Sequence, residues 1–213
     1  EGVWVSLSNF YIEQDRLDDA INAIERALEI NPRYPLIYIN LSSAQIKKGL
    51  VEKACTTIHH GLVLWPDNPK LLKNLSLVYA KQKQHLKAIQ ILQKLIAKQQ
   101  NDHELYALIG QNLLDLGRWA ESEVYFLKAI KLNNQVPDYF HFVGINQYRQ
   151  NNYDAAIRSL RQALLLNSND TGSLLGIGFI YLEKGNYTEA QKIIEQLSQK
   201  DPQAANRLKK AIK

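Results

Sequence analysis

The chain has 213 residues, with hydrophobic residues at 46%, charged residues at 22% and a formal net charge of +5. That balance supports a packed core and excludes a disordered or collagen-like chain, and no apolar run nears the roughly 20 residues of a membrane span. The single cysteine, Cys55, can form neither an internal disulfide nor a cysteine-based zinc site, and Glu1-Gly2-Val3-Trp4 is not a secretory leader. We expect a soluble chain, cytoplasmic rather than periplasmic, with no membrane span.

Shifted against itself by 34, the chain falls into six frames, 1–34, 35–68, 69–102, 103–136, 137–170 and 171–204, with nine residues left over. The first frame sets the pattern. Trp4, Leu7, Tyr11 and Ile24 recur at helical spacing, with small residues at the eighth place (Ser8) and the twentieth (Ala20). Two short side chains twelve residues apart suit a close contact across an antiparallel helix pair. The second frame opens at Pro35, keeps Ser42 and Ala54, and places Gly49 midway, where a left-handed residue ends a helix. The third opens at Pro69 and keeps Ser76 and Ala88. It departs at Lys83, which stands for the turn glycine, at Leu95, where four of the other frames have a small residue (Ala27, Gly61, Ala129 and Ala163), and at Gln100, where a proline closes the first. We read these departures as drift at the junction of the third and fourth frames rather than a change of pitch. The fourth frame carries Gly110, Gly117 and Ser122, the fifth Pro137, Gly144, Asn151 and Ala156, and the sixth Gly178, Gly185 and Ala190. Residues 205–213 restart the pattern, with Leu208, Ala211 and Ile212 on one face and Arg207, Lys209, Lys210 and Lys213 on others, as a polar-faced capping helix would. Nothing equivalent caps the start, so further repeats or another domain are expected before Glu1.

Trp4, Leu7, Tyr11, Ala20, Ala27 and Pro32, with the stretch from Arg26 to Pro32, resemble the tetratricopeptide repeat, and six in-phase copies extend the resemblance over residues 1–204. The resemblance implies an all-α, right-handed superhelical solenoid of antiparallel helix pairs. It also implies that the first helix of each pair lines a concave groove. Places two, five, six, nine, twelve and thirteen of each frame lie opposite the small contact positions. In the first three frames they include Asn9, Asn40, Lys47, Lys70, Lys73, Asn74 and Lys81, a polar and basic set. In the last two they include His141, Phe142, Ile145, Tyr148, Leu175, Phe179 and Leu182, an apolar and aromatic set.

An asparagine amide can both donate to and accept from an extended peptide backbone, and lysine attracts carboxylates. Asn40 and Asn74 thus resemble rungs of the asparagine ladder in O-linked N-acetylglucosamine transferase. Asn9, Asn40 and Lys70 resemble three of five places of the carboxylate clamp in chaperone adaptors, but Val5 and Asn74 stand where that clamp has basic residues.

No catalytic constellation, metal site or cofactor motif is expected. His59 and His60 are adjacent on a helix and point about 100° apart, so they cannot share one ion as an i, i+4 pair could. His85, His103 and His141 lie in separate frames, Cys55 suits a buried structural thiol, and Gly176-Ile177-Gly178 lacks the third glycine of a dinucleotide loop. The basic excess resides in the third frame and the tail, while the first frame is acidic, so no continuous stripe tracks a phosphate backbone and no nucleic-acid partner is expected. We expect a non-catalytic scaffold that binds a peptide segment or helix of a partner protein in its groove. The alternatives are a substrate-recruiting arm of a larger enzyme such as a glycosyltransferase, and an assembly factor of an envelope, pilus or organelle system that self-associates into a homo-oligomer.

Overall fold

The computed structural model describes residues 2–212, in which thirteen helices follow one another without a strand. Lys213, counted above in the basic tail, and Glu1 lie outside the described residues. Twelve helices form pairs: α1 (Gly2–Glu13) with α2 (Leu17–Ile30), α3 (Pro35–Lys47) with α4 (Val51–Leu64), α5 (Pro69–Lys81) with α6 (His85–Lys98), α7 (His103–Asp115) with α8 (Trp119–Leu132), α9 (Pro137–Arg149) with α10 (Tyr153–Leu166), and α11 (Thr171–Glu183) with α12 (Tyr187–Lys200). The thirteenth, α13 (Pro202–Ala211), follows α12. Starts are written in the sequence: proline opens α3, α5, α9 and α13, and the side chains of Asn68, Asp102, Asp170, Asn186 and Asp201 accept from backbone amides of the first turn.

Every pair turns the same way. The fifteenth place is left-handed throughout, with φ of 56° at Asp15, 80° at Gly49, 60° at Lys83, 73° at Gly117, 60° at Asn151 and 68° at Gly185. The next amide then donates to a carbonyl five residues back, as in Arg16 to Tyr11 (2.9 Å) and Gln84 to Tyr79 (2.8 Å). Lys83 is therefore no break in the turn. It holds a conformation that costs an L-residue roughly 1–2 kcal/mol. Lys83→Gly removes that strain and returns part of it as unfolded-chain entropy, so a net gain of about 0.5–1 kcal/mol is expected. Urea unfolding checks it: an unchanged or lower midpoint contradicts the strain.

The small contact places are explained by what lies against them. Ala20, Ala54, Ala88, Ser122, Ala156 and Ala190 are all inaccessible to solvent, and one turn further on Ile24, Ile58, Leu92, Phe126, Leu160 and Ile194 fill the core. A methyl group on Gly110 would stand 2.8 Å from the Phe126 ring, and on Gly178 2.3 Å from Leu208. No larger residue fits there without displacing the core.

By contacts the chain divides into two compact units, Glu1–Gln100 and Asn101–Lys213. The division falls at the third frame's end, where Leu95, 3% exposed, and Gln100 depart from the repeat. In the first unit α3 packs on α1 and α2, and α5 on α3 and α4. In the second α9 packs on α7 and α8, α11 on α9 and α10, and α13 on α11 and α12.

α13 starts three residues before the expected 205, because Asp201 both ends α12 and caps α13 and no linker separates them. Pro202, although it falls within the sixth frame, opens this helix. The shift rotates the buried face to Ala204, Ala205 and Leu208, so Leu208 is covered as expected while Ala211 and Ile212 remain exposed.

Candidate functional site

Within each unit consecutive first helices touch one another, α1 with α3 and α3 with α5, then α7 with α9, α9 with α11 and α11 with α13. No two second helices are among the main contacts. A row that closes on one side and splays on the other puts the first helices on the inside of the bend. At about 100° per residue, places two, five, six, nine, twelve and thirteen span about 120° of that inner side.

In the first unit Asn9, Lys47, Lys70 and Lys81 are exposed there and Lys73 is half-buried. Lys47 and Lys81 are the last residues of α3 and α5, where a cation suits the negative end of the helix dipole. Asn40 and Asn74 differ from expectation: each is only 8% exposed. Place six sits at the edge of the inner arc, beside the surface that packs on the preceding pair. The Asn40 amide nitrogen donates to Asn9 Oδ1 (2.8 Å) and Ser8 Oγ (3.3 Å). The Asn74 amide nitrogen donates to Ser42 Oγ (2.8 Å), Ser43 Oγ (3.0 Å) and the Ile39 carbonyl (3.2 Å). These amide donors tie one repeat to the next, and the double-sided pairing with a peptide backbone expected of them loses its donor half. Removing either amide strips a buried hydrogen bond worth roughly 1–3 kcal/mol, so alanine there reports on stacking as much as on binding.

In the second unit His141, Phe142, Ile145, Tyr148, Phe179 and Leu182 are half-buried on the inner face, with Leu175 beneath at 9% exposed. Phe142 stacks on Phe126 at 5.0 Å and 20°. Tyr148 lies 6.0 Å from the Tyr153 ring in a cleft of about 220 Å³ that Arg149, Asn151 and Glu183 complete. Burial, reinforced by Glu183, pushes the Tyr148 phenol above its ordinary pKa, so it is a neutral donor at neutral pH.

His141 Nδ1 lies 2.7 Å from Ser173 Oγ and 3.7 Å from Asp170 Oδ2, and Asp170 Oδ1 accepts from the Ser173 amide at 3.0 Å. The three residue types are those of a nucleophilic triad, but the geometry is not. Serine and carboxylate address the same ring nitrogen, and Ser173 is fully buried. Cys55 is half-buried beside exposed His59, and burial and then Glu52 raise its pKa, keeping it a thiol. Among the described residues no three His, Cys, Asp or Glu side chains converge as a metal site would require, and no helix is long and apolar enough to cross a membrane.

Contacts between repeats escaped the sequence reading. Asn146, fully buried, donates to Ser122 Oγ at 2.9 Å, and Gln147 and Gln150 both donate to Glu123 at 2.7 Å. A surface contact recurs thirty residues apart: Lys48 with Asp18, Gln82 with Glu52 and Lys184 with Asp154. Pairing the chain with itself at that offset, rather than at 34, would have found it.

His103 joins two further groups, with Nδ1 2.7 Å from Tyr139 Oη and Nε2 3.2 Å from Asn133 Nδ2. Burial first, then Glu104, Asp102 and Asp138, push the Tyr139 phenol up to about 12 from an ordinary 10.0. The folded state therefore holds this proton after the unfolded chain has lost it. Stability from Tyr139 is intact below pH 10 and is lost as pH rises towards about 12. Between those limits the protein should lose stability more steeply than Tyr139→Phe, measured by denaturant midpoints; parallel loss in both contradicts the assignment.

Family profiles described as tetratricopeptide repeat match residues 11–62 and 147–212, 103–136, and 74–101. Cellulose synthase 1 operon protein C of Komagataeibacter xylinus is 32% identical over 69 residues, 32% of this chain and 5% of that protein. The TPR repeat-containing protein MJ1428 of Methanocaldococcus jannaschii is 28% identical over 131 residues, 62% of this chain and 23% of that protein. The chain thus spans less than a quarter of either relative. Among solved structures, the type IV pilus biogenesis factor PilW superposes with a TM-score of 0.90 at 16% identity, covering 97% of both chains. Pseudomonas aeruginosa PilF superposes with a TM-score of 0.83 at 18% identity, covering 98% of this chain and 96% of that one. At those identities the likeness is one of fold. Its helix pairs repeat with small contact places and left-handed turns, and since one repeat profile alone matches more than half of its length, the chain belongs to the tetratricopeptide repeat family.

Proposed function

We propose that the chain is a non-catalytic interaction scaffold whose first-helix face holds a peptide segment or helix of a partner protein. The observation that carries this reading is the apolar row of half-buried rings on the inner side of the second unit, with Tyr148 and Phe179 part-covered by their own core and part-open. Rings already fixed on one side lose little freedom when a ligand covers the other. The misaligned Ser173, His141 and Asp170 support a role without covalent chemistry. Partner segments recovered with the intact protein are the test: Tyr148→Ala with Phe179→Ala should weaken the best of them by tenfold or more, on the scale of interface hot spots. Equal affinity in a folded double variant sinks the reading.

A second reading, self-association, is favoured by α1. Val3 is 80% exposed and Phe10 52%, whereas their equivalents Ile37, Leu71, Ala44 and Val78 are fully buried under the preceding pair. The outer side of α1 therefore presents a stacking surface that the described residues leave uncovered. Light scattering across concentration, with Phe10→Asp as the comparison, tests it: a mass that never changes with concentration rejects it.

A further inference from the structure

The inner faces of the two units carry opposite charge, which composition conceals. On the first unit Lys47, Lys70, Lys73 and Lys81 face a single carboxylate, Glu13. On the second, Arg149 stands alone among Glu104, Asp115, Asp138 and Glu183. Place thirteen shows the contrast, with Lys47 and Lys81 in successive repeats of one unit and Arg149 between Asp115 and Glu183 in the other.

We propose that the first-helix face of the unit Glu1–Gln100 takes an acidic segment of a partner protein, and that the face of the other unit does not. This rests on the peptide-binding reading above and names the ligand class for one part of it. Away from this face Lys48 pairs with Asp18 and Lys98 with Asp67. Lys70 near the start of α5 and Lys81 at its end are about 16 Å apart along the axis, the reach of about five extended residues. An extended segment with carboxylates about five residues apart addresses both. Aliphatic side chains, Leu36, Ile39 and Leu77, lie between the charges, half-buried, and offer contact for apolar residues interspersed with the acids.

The same positive face could be thought to suit a nucleic acid, and its composition argues otherwise. None of its inner places holds an aromatic ring on which a base could stack, and none holds an arginine with the planar fork that grips a phosphate. Lysine point charges among aliphatics fit carboxylates on a peptide.

The test is a titration of the intact protein with a fluorescein-labelled peptide carrying Glu or Asp at five-residue spacing among leucines, beside the same peptide with Gln and Asn in place of the acids. The acidic peptide should bind at low ionic strength, weaken as salt rises past about 0.15 M, and bind tenfold or more worse to Lys70→Glu with Lys81→Gln. Lys53→Glu with Lys94→Gln, exposed on the second helices α4 and α6, changes the net charge by the same amount and should leave its affinity unchanged. Lys70→Glu adds a carboxylate to the first turn of α5, where a helix tolerates it, so the variant keeps its fold, which its melting curve verifies. The proposal is overturned if the neutral peptide binds equally well, if the lysine variant binds the acidic peptide as the parent does, or if single-stranded DNA binds the parent more tightly than the peptide and is lost in the same variant. Should acidic peptides fail while segments dependent on Tyr148 and Phe179 still bind, only this proposal falls. Should no peptide bind either unit, the scaffold reading falls with it.

Discussion

Phe126→Ala is expected to destabilise the protein by about 3–5 kcal/mol, the cost of removing a fully buried aromatic ring together with the cavity it leaves. The site has little means of collapse. Gly110 has no side chain to move into the gap, since its missing methyl is the space the ring occupies. On the opposite side Phe142 stacks at 5.0 Å and Tyr139 lies at 6.4 Å, both held by their own helix α9. Because Phe142 also sits on the inner face, the substitution loosens the proposed binding surface from beneath. Urea unfolding should show a lower midpoint, and a loss under about 1 kcal/mol would mean that the ring is not the keystone of the fourth and fifth repeats.

Leu208→Asp should release the last helix. Leu208 is fully buried against Gly178 and Ile193, and a carboxylate there would be desolvated without a partner, which forces α13 off its seat rather than the charge into the core. Repeat stacks are held by nearest-neighbour contacts, so the damage should stay local. Hydrogen exchange should accelerate in α12 and α13, where Ile194, Leu197 and Ala205 lose their cover, while α3 and α4 keep parental rates. Uniform acceleration throughout the chain would contradict a stack of locally stabilised pairs.

The helix pairs were legible because the repeat writes the same steric demand several times over. One small residue at the eighth place could be chance, but Gly110, Gly144 and Gly178 each stand where the fold leaves no room for a methyl group. The turns were less legible. Glycine signals a left-handed residue, yet Asp15 and Lys83 adopt the same φ because the flanking helices impose it. The start of α13 was hidden because Asp201 serves as the end of one helix and the cap of the next, a double use that the 34-residue frame does not anticipate. On the inner face, which residues belong there followed from helical geometry. What Asn40 and Asn74 do there did not, because their partners Ser8 and Ser42 sit thirty-two residues away in a neighbouring repeat, a distance at which local pattern carries no information. The opposite charges of the two inner faces are hidden in the frame totals, which mix inner-face charges with those of the other faces.

Partners, as proposed above, bind the first-helix face. Photo-crosslinking residues placed singly at Ser43, Leu77, Tyr148 and Phe179 on that face, and at Val63 and Leu165 on second helices, where they are 79% and 78% exposed, test it with the intact protein and its partner. Crosslinks from the first four positions and none from the last two are the expected result. Crosslinks from Val63 and Leu165 alone would place the partner on the second helices and contradict binding at the first-helix face.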